Sequence, residues 1–241
     1  MKKILLNSDV GEEAGFDEEI MPFVSLCNIA CGTHAGSEKV IRETIDLAIR
    51  YQVKIGAHPS YPDRKNFGRS VMKISSDDLE KTLTDQILCV KDWAEKAGTT
   101  LYHVKPHGAL YNQTVKNKAV AKSVIRSIRN IDKSIKLISP KESIISYLSQ
   151  GDIDVISEVF ADRNYERDLS LVSRSEKQSV ISDPEQVLEH VLQMIEHKKV
   201  KTKSGVEVPV FFDTICVHGD HLKSVEILRL LHGELLVRNM I

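Results

Sequence analysis

Along its length the chain repeats one pattern: a short apolar run that ends in polar or ionisable residues, followed by a longer amphipathic stretch. That alternation constrains the fold more than any other property. Short apolar runs bounded by turn residues read as buried strands, and stretches with 3.6-residue periodicity read as the helices that cover them. Strands are predicted at 3–9, 25–30, 54–58, 101–106, 136–139, 154–160 and 208–217, and helices at 37–51, 77–97, 116–130, 141–150, 184–198 and 222–232. Ser76 before Asp77 and Asp78, and Asp183 before Pro184, supply helix starts. Such alternation implies parallel strands with crossover helices, in an open doubly wound sheet or a closed barrel. No Gly-x-Gly-x-x-Gly follows the first strand and no low-complexity linker divides the chain. The expectation is therefore an α/β fold, one TIM-like β/α barrel domain over 1–241.

Composition narrows the function classes. A chain of 241 residues with 41% hydrophobic content can bury a sizeable core. Lysine plus arginine (33) nearly balances aspartate plus glutamate (34), so no overall field favours nucleic acid or an anionic membrane. The first apolar run, Ile4 to Leu6, is far too short for a signal peptide, and no stretch approaches a membrane span. A cytoplasmic protein without nucleic-acid or membrane partners is expected. Cys27, Cys31, Cys89 and Cys216 lack Cys-x-x-Cys spacing and read as buried thiols, and the lone Trp93 reads as core. The 161–183 segment is the longest polar connection, of a length that suits a lid or binding loop. The 198–207 stretch reads as a solvated connection or small hairpin.

The unusual residues gather at strand ends. Asn7 and Asp9 end the first strand, His34 follows the second, and His58 ends the third. Lys105 and His107 end the fourth, Glu158 and Asp162 the sixth, and His218 the seventh. In a parallel barrel these ends open on one face, where active sites are built from several strands at once. Alternate strand residues share a face, so Asn7 with Asp9, Lys105 with His107, and Glu158 with Asp162 are expected to point together into the mouth. One such residue is ordinarily a capping or hydrogen-bonding group; five strand ends carrying them together point to a site. Arg69, Arg163 and Arg174 are candidates for holding an anion. The helix start at Gly36-Ser37 offers free N–H groups to a phosphate or carboxylate. Asp9 with two of His34, His58, His107 and His218 would suit a divalent metal, although no His-x-x-x-His or His-Glu-x-x-His spacing fixes the ligands. A Gly-x-Ser-x-Gly elbow and a Walker A loop are both absent.

Six segments carry a resemblance: LNSDVGE (6–12), NIACGTHAG (28–36), GAHPSYPD (56–63) with NFGR (66–69), VKPHGALYN (104–112), VFADRNY (159–165) and ICVHGD (215–220). In them the chain resembles the LamB/YcsF family of 5-oxoprolinase A subunits. The resemblance implies an irregular seven-stranded β/α barrel similar to glycoside hydrolases and polysaccharide deacetylases. It implies opening of the 5-oxo-L-proline lactam to L-glutamate coupled to ATP hydrolysis, in a complex with two other subunits, B and C. The family's motif positions carry onto Asn7, Asp9, Glu12, His34, His58, Lys105, His107, Asp162, Arg163 and His218. The nucleotide site is then either unconventional or on a partner subunit.

A working scheme gives catalysis to Asp9, His58, Lys105 and His107. Lys105 with Arg163 or Arg69 would hold the substrate carboxylate or an oxyanion. Asp9 with His58 or His107 would act as general base, and the other histidine would protonate nitrogen. Asn7, Glu12, His34, Arg69, Asp162, Arg163 and His218 are expected to bind substrate. Two rivals are a stand-alone metal-dependent amide hydrolase and a carbohydrate- or lactam-binding module without catalysis. Against the family pattern, Thr33 replaces an aromatic, Ser37 an aspartate, Leu169 a glycine, Gln178-Ser179 a Gly-Ala pair and His221-Leu222 a Thr-Pro pair.

Overall fold

Seven parallel strands close on themselves in the computed structural model, which describes residues 3–241. They are β1 (Leu5–Val10), β2 (Leu26–Ala30), β3 (Lys54–His58), β4 (Leu101–Val104), β5 (Lys136–Ser139), β6 (Val155–Phe160) and β9 (Thr214–Cys216). The closing strand β9 pairs with β1 at Leu5↔Thr214 and with β6 at Glu158↔Thr214. Around the barrel run α1 (Asp17–Ile20), α2 (Glu38–Arg50), α3 (Ser76–Lys96), α4 (Gly108–Lys116), α5 (Lys118–Ile131), α6 (Ile144–Ser149), α7 (Pro184–His197) and α8 (Ser224–Val237). The expected barrel is what forms. Its strands are buried on both faces, which is why they read as continuous apolar runs.

Local chemistry sets the helix starts. Ser37, Ser75, Asn117, Ser143 and Asp183 each accept a backbone N–H at an N-terminus, and Pro184 occupies the first turn of α7. Asn117 also explains a correction. The predicted helix 116–130 is the second of two, because Asn117 Oδ1 accepts from Ala119 and Val120 and starts α5 afresh, while α4 begins back at Gly108.

The predicted strand 208–217 is split. Glu207–Pro209 (β8) pairs antiparallel with Lys199–Lys201 (β7) as a hairpin, and Thr214–Cys216 alone enters the barrel. Pro209 has no N–H to extend a ladder, and the chain between the two pieces leaves Phe211 59% exposed. Trp93 is half-buried rather than core, with Lys96 Nζ 4.2 Å and Arg42 Cζ 4.7 Å from its ring centroid. The four cysteines are free thiols, with Cys89 the least buried.

The barrel interior is not uniformly apolar. Leu26, Ile138 and Ile156 form a small buried cluster separate from the main core, with Leu5 and Tyr102 against it. One pleat further along the strands the inward residues become Asn7, Asn28, His103, Glu158 and Thr214, all buried and polar. The main core instead joins the barrel's outer surface to the helices. The 161–183 segment is ordered: Arg163↔Val180 and Tyr165↔Leu171 bridge it to itself, and the β7–β8 turn braces it through Lys203 N to Tyr165 O (2.8 Å) and a Lys203–Glu176 ion pair.

Candidate functional site at the strand ends

A cavity of about 240 Å³ opens over the C-terminal ends of the strands. Asp9, Glu12, His58, Arg69, Lys105, His107, Arg163 and His218 line it, as do Tyr111, Phe160, Arg174 and Asp220. Asn7, His34 and Asp162 stand behind this wall. Lys105 and His107 lie beyond the end of β4 yet stay pinned to the third strand's course, Lys105 N donating to Ala57 O (2.9 Å) and His107 N to Pro59 O (2.8 Å).

Lys105 is the centre of the floor. Its Nζ lies 3.0 Å from Asp9 Oδ1, 3.0 Å from Glu158 Oε1, 3.1 Å from Cys216 Sγ and 3.3 Å from Asn7 Oδ1. Burial by itself would favour the neutral amine, but Asp9, Cys216 and Glu158 hold the ammonium charged, well above the usual lysine range. Burial likewise works against the Asp9 carboxylate, and His58 and Lys105 overcome it and keep the group ionised. Tyr111 donates to Glu158 Oε2 at 2.9 Å and is held as the phenol by burial and by that carboxylate. Beneath, Asn7 Nδ2 donates to Glu158 Oε1 (2.9 Å), and Asn28 Nδ2 donates to Asn7 Oδ1 and Asp9 Oδ1 (both 2.8 Å). The charges are thus compensated by hydrogen bonds as well as by each other.

Three histidines pack beside Asp9. His34 stacks on His107 with centroids 3.9 Å apart, and His58 meets His107 edge-on. His34 Nε2 lies 3.3 Å from Glu12 Oε1. Burial first, then the Asp9 charge, raise the Glu12 carboxyl to about 7, near neutrality. On the opposite wall His218 stacks on Phe160 and places Nδ1 2.9 Å from Asp162 Oδ2. Burial opposes ionisation of Asp162, but His218 outweighs it and keeps the carboxylate charged.

The mouth is cationic. Arg69 pairs with Asp220 (2.6 Å), and Arg174 lies 3.7 Å from the same carboxylate. Arg163 is fixed by bonds from Nε to Ser179 O (3.1 Å) and from Nη2 to Val172 O (2.7 Å), both on the 161–183 loop. Arg69 and Arg174 share the Asp220 carboxylate, and Arg163 brings a third guanidinium to the same cavity, a concentration of positive charge suited to an anionic ligand.

The helix start at Gly36-Ser37 is taken by the chain itself, Gly36 N donating to Glu13 Oε2 at 3.1 Å. Ser37 caps α2 through Val40 N (3.3 Å), a role that aspartate and serine fill equally well. Asn28, His103, Tyr111, Cys216 and Asp220 belong to the site and were not predicted for it. Strand periodicity places Glu158 at the mouth but gives it no role. Strand periodicity was the available signal for Asn28, His103 and Cys216, whereas Tyr111 arrives from α4 and Asp220 from the loop after β9.

Fold and site together define a β/α-barrel protein whose strand ends surround a small, charged, largely buried cavity. The LamB/YcsF family matches residues 4–240, and the chain belongs to that family. A protein of Oceanobacillus iheyensis, named as the A subunit of 5-oxoprolinase, is 41% identical over 236 residues, 95% of this chain and 92% of that one. A protein of the same name from Pyrococcus abyssi is 41% identical over 231 residues, covering 93% and 91%. Among solved structures, the lactam utilization protein from Thermus thermophilus superposes with a TM-score of 0.91 at 33% identity, over 99% of this chain and 98% of that chain.

Proposed function

We propose that this chain is the A subunit of an ATP-dependent 5-oxoprolinase, opening the lactam of 5-oxo-L-proline to L-glutamate together with two other subunits. The observation that carries the reading is the division of charge in the cavity: a buried ammonium, Lys105, at the floor and three guanidiniums at the mouth. A small ring with a carboxylate at one end and an amide carbonyl at the other matches that division. The names of the relatives, similar over nearly the whole chain, support the same substrate.

A lactam amide is a poor electrophile. Coupling to ATP remedies this when the amide oxygen attacks the γ-phosphorus and ADP departs. Water then adds to the carbon that bears the phosphorylated oxygen, and the C–N bond breaks as nitrogen takes a proton, which leaves γ-glutamyl phosphate. A second water releases phosphate and glutamate. In this scheme Arg69, Arg163 and Arg174 hold the ring carboxylate, and Lys105 faces the charge that develops on oxygen. Asp162 takes His218 Nδ1, so Nε2 is the nitrogen that exchanges a proton with the water or the leaving amine. The nucleotide is held with the partner subunits, consistent with a chain that carries no Walker A loop.

The test is glutamate release from 5-oxo-L-proline and ATP by the chain alone and with both partners. Release is expected only in the mixture, and Lys105→Gln should lower it by about 100-fold or more. Folded partners that still give no glutamate would sink the reading and favour stand-alone amide hydrolysis.

A further inference from the structure

Two hydrogen bonds fix two tautomers. His58 Nδ1 lies 2.7 Å from Lys105 O, and His107 Nε2 lies 2.9 Å from Phe67 O. A carbonyl oxygen only accepts, so each of those nitrogens carries its proton. With each ring neutral, the opposite nitrogens, His58 Nε2 and His107 Nδ1, turn lone pairs toward each other at 3.0 Å.

Carboxylate oxygens close on the same point. Asp9 Oδ2 is 3.4 Å from His58 Nε2, and Glu12 Oε1 is 3.4 Å from His107 Nδ1 and 4.0 Å from His58 Nε2. Four acceptors converging in a buried space repel unless a positive centre lies among them. Lys105 does not supply it here, since its Nζ bonds the other Asp9 oxygen, Oδ1. Each proton bridges a single pair, so a proton on Glu12, whose carboxyl is raised to about 7, reaches His107 Nδ1 and still leaves His58 Nε2 facing the Asp9 carboxylate. Nitrogen and oxygen ligands at roughly 2.0–2.2 Å from one ion stand roughly 3–3.5 Å apart around a tetrahedron or octahedron, the spacing of the three contacts of 3.0, 3.4 and 3.4 Å, and a small contraction would bring Glu12 and His58 in from 4.0 Å.

The surroundings are built for the same purpose. Metal-bound histidines characteristically donate their second ring N–H to a carbonyl or carboxylate, which sets tautomer and ring orientation. Both His58 and His107 do so. Phe67, whose carbonyl orients His107, is held in the left-handed region (φ 55°, ψ 36°), a conformation unfavourable for a bulky residue.

We propose that Asp9 Oδ2, Glu12 Oε1, His58 Nε2 and His107 Nδ1 bind one divalent first-row transition metal ion, with His34 Nε2 holding Glu12 in place. Two imidazoles and two carboxylates without a thiolate suit Zn²⁺, Co²⁺ or Mn²⁺. The ion would lie at the cavity floor, where a Lewis acid polarises a carbonyl or lowers the pKa of a bound water. That role rests on the lactam reading above; the binding site does not.

The experiment is a Co²⁺ titration of the full chain stripped with a chelator, followed by visible absorption and calorimetry, with Zn²⁺ as competitor. One ion per chain, visible d–d bands lost on Zn²⁺ addition, and a raised Tm are expected. His58→Gln and Asp9→Asn should each weaken binding by about tenfold or more. Wild-type protein that takes up neither ion, or folded variants that bind as wild type does, overturns the proposal. Should either variant fail to fold, the wild-type stoichiometry and spectrum still decide. The titration contains no nucleotide and no lactam, so its outcome is separate from that of the glutamate assay.

Discussion

A Cβ at position 56 would lie 2.1 Å from His103 Nε2, so glycine there is what admits the imidazole to the barrel. Asn28 commits its amide nitrogen to Asn7 and Asp9, so His103 Nε2 donates to Asn28 Oδ1 at 2.7 Å. His103 Nδ1 is buried without a partner, and adding a proton would create an unpaired N–H. Burial, then the Lys105 charge, hold the His103 pKa down to about 3, whereas an unfolded histidine titrates near 6.5. The unfolded state thus binds the extra proton first. Stabilisation by neutral His103 is complete above about pH 6.5 and is lost as pH falls toward about 3. His103→Gln, which keeps an N–H donor for Asn28, should flatten the fall in stability by up to about 1.4 kcal/mol per pH unit. Urea melts between pH 7 and 4 measure this, and an unchanged slope would clear His103 as the source. The sequence displayed His103, Lys105 and His107 at alternate positions but could not assign them. Lys105 meets Glu158, His107 meets His58, and His103 meets Asn28, each on another strand.

Among the elements, the 161–183 loop shows how a departure from family pattern acquires a physical meaning. Leu169 and Gln178, which replace glycines of that pattern, both adopt positive φ, at 63° and 62°. A residue with a Cβ is disfavoured there, and glycine is not. Leu169 packs against the core, so truncating it also removes apolar contact. Gln178 is exposed and offers the fold its backbone carbonyl, which accepts from Asn164 Nδ2. Gln178→Gly should therefore stabilise the chain by up to about 1 kcal/mol, the relief of the left-handed strain exceeding the added entropy of the unfolded state. A fall in the urea midpoint would instead show that the Gln178 side chain contributes contacts. The loop also sets Arg163 through Ser179 and Val172, so loosening it should reach the mouth of the cavity.

For the whole molecule, closure depends on the three-residue strand β9. Asp213, just before it, donates its N–H to Ser157 O, accepts from Leu5 N through its carbonyl and accepts Ser157 N at its carboxylate (2.9 Å). It stitches the first and sixth strands at the seam. Asp213→Ala should cost about 1–3 kcal/mol by leaving the Ser157 N–H unpaired, and hydrogen exchange should quicken in β1, β6 and β9 together. Exchange that quickens in β9 alone would mean that the seam is not a cooperative part of the barrel. No helix among the described residues is long and apolar enough to cross a membrane. The sequence by itself determined the strand and helix alternation and the polar strand ends, because apolar periodicity, caps and turn residues are local properties. It ran the strand through 208–217 and hid the break before α5, since edge pairing by Pro209 and capping by Asn117 are weak signals inside apolar runs. Only the tertiary structure decided which groups are charged and which nitrogens are bare. Those states depend on burial and on partners brought across the barrel: Glu158 to Lys105, Asp162 to His218, and the carbonyls of Lys105 and Phe67 to His58 and His107.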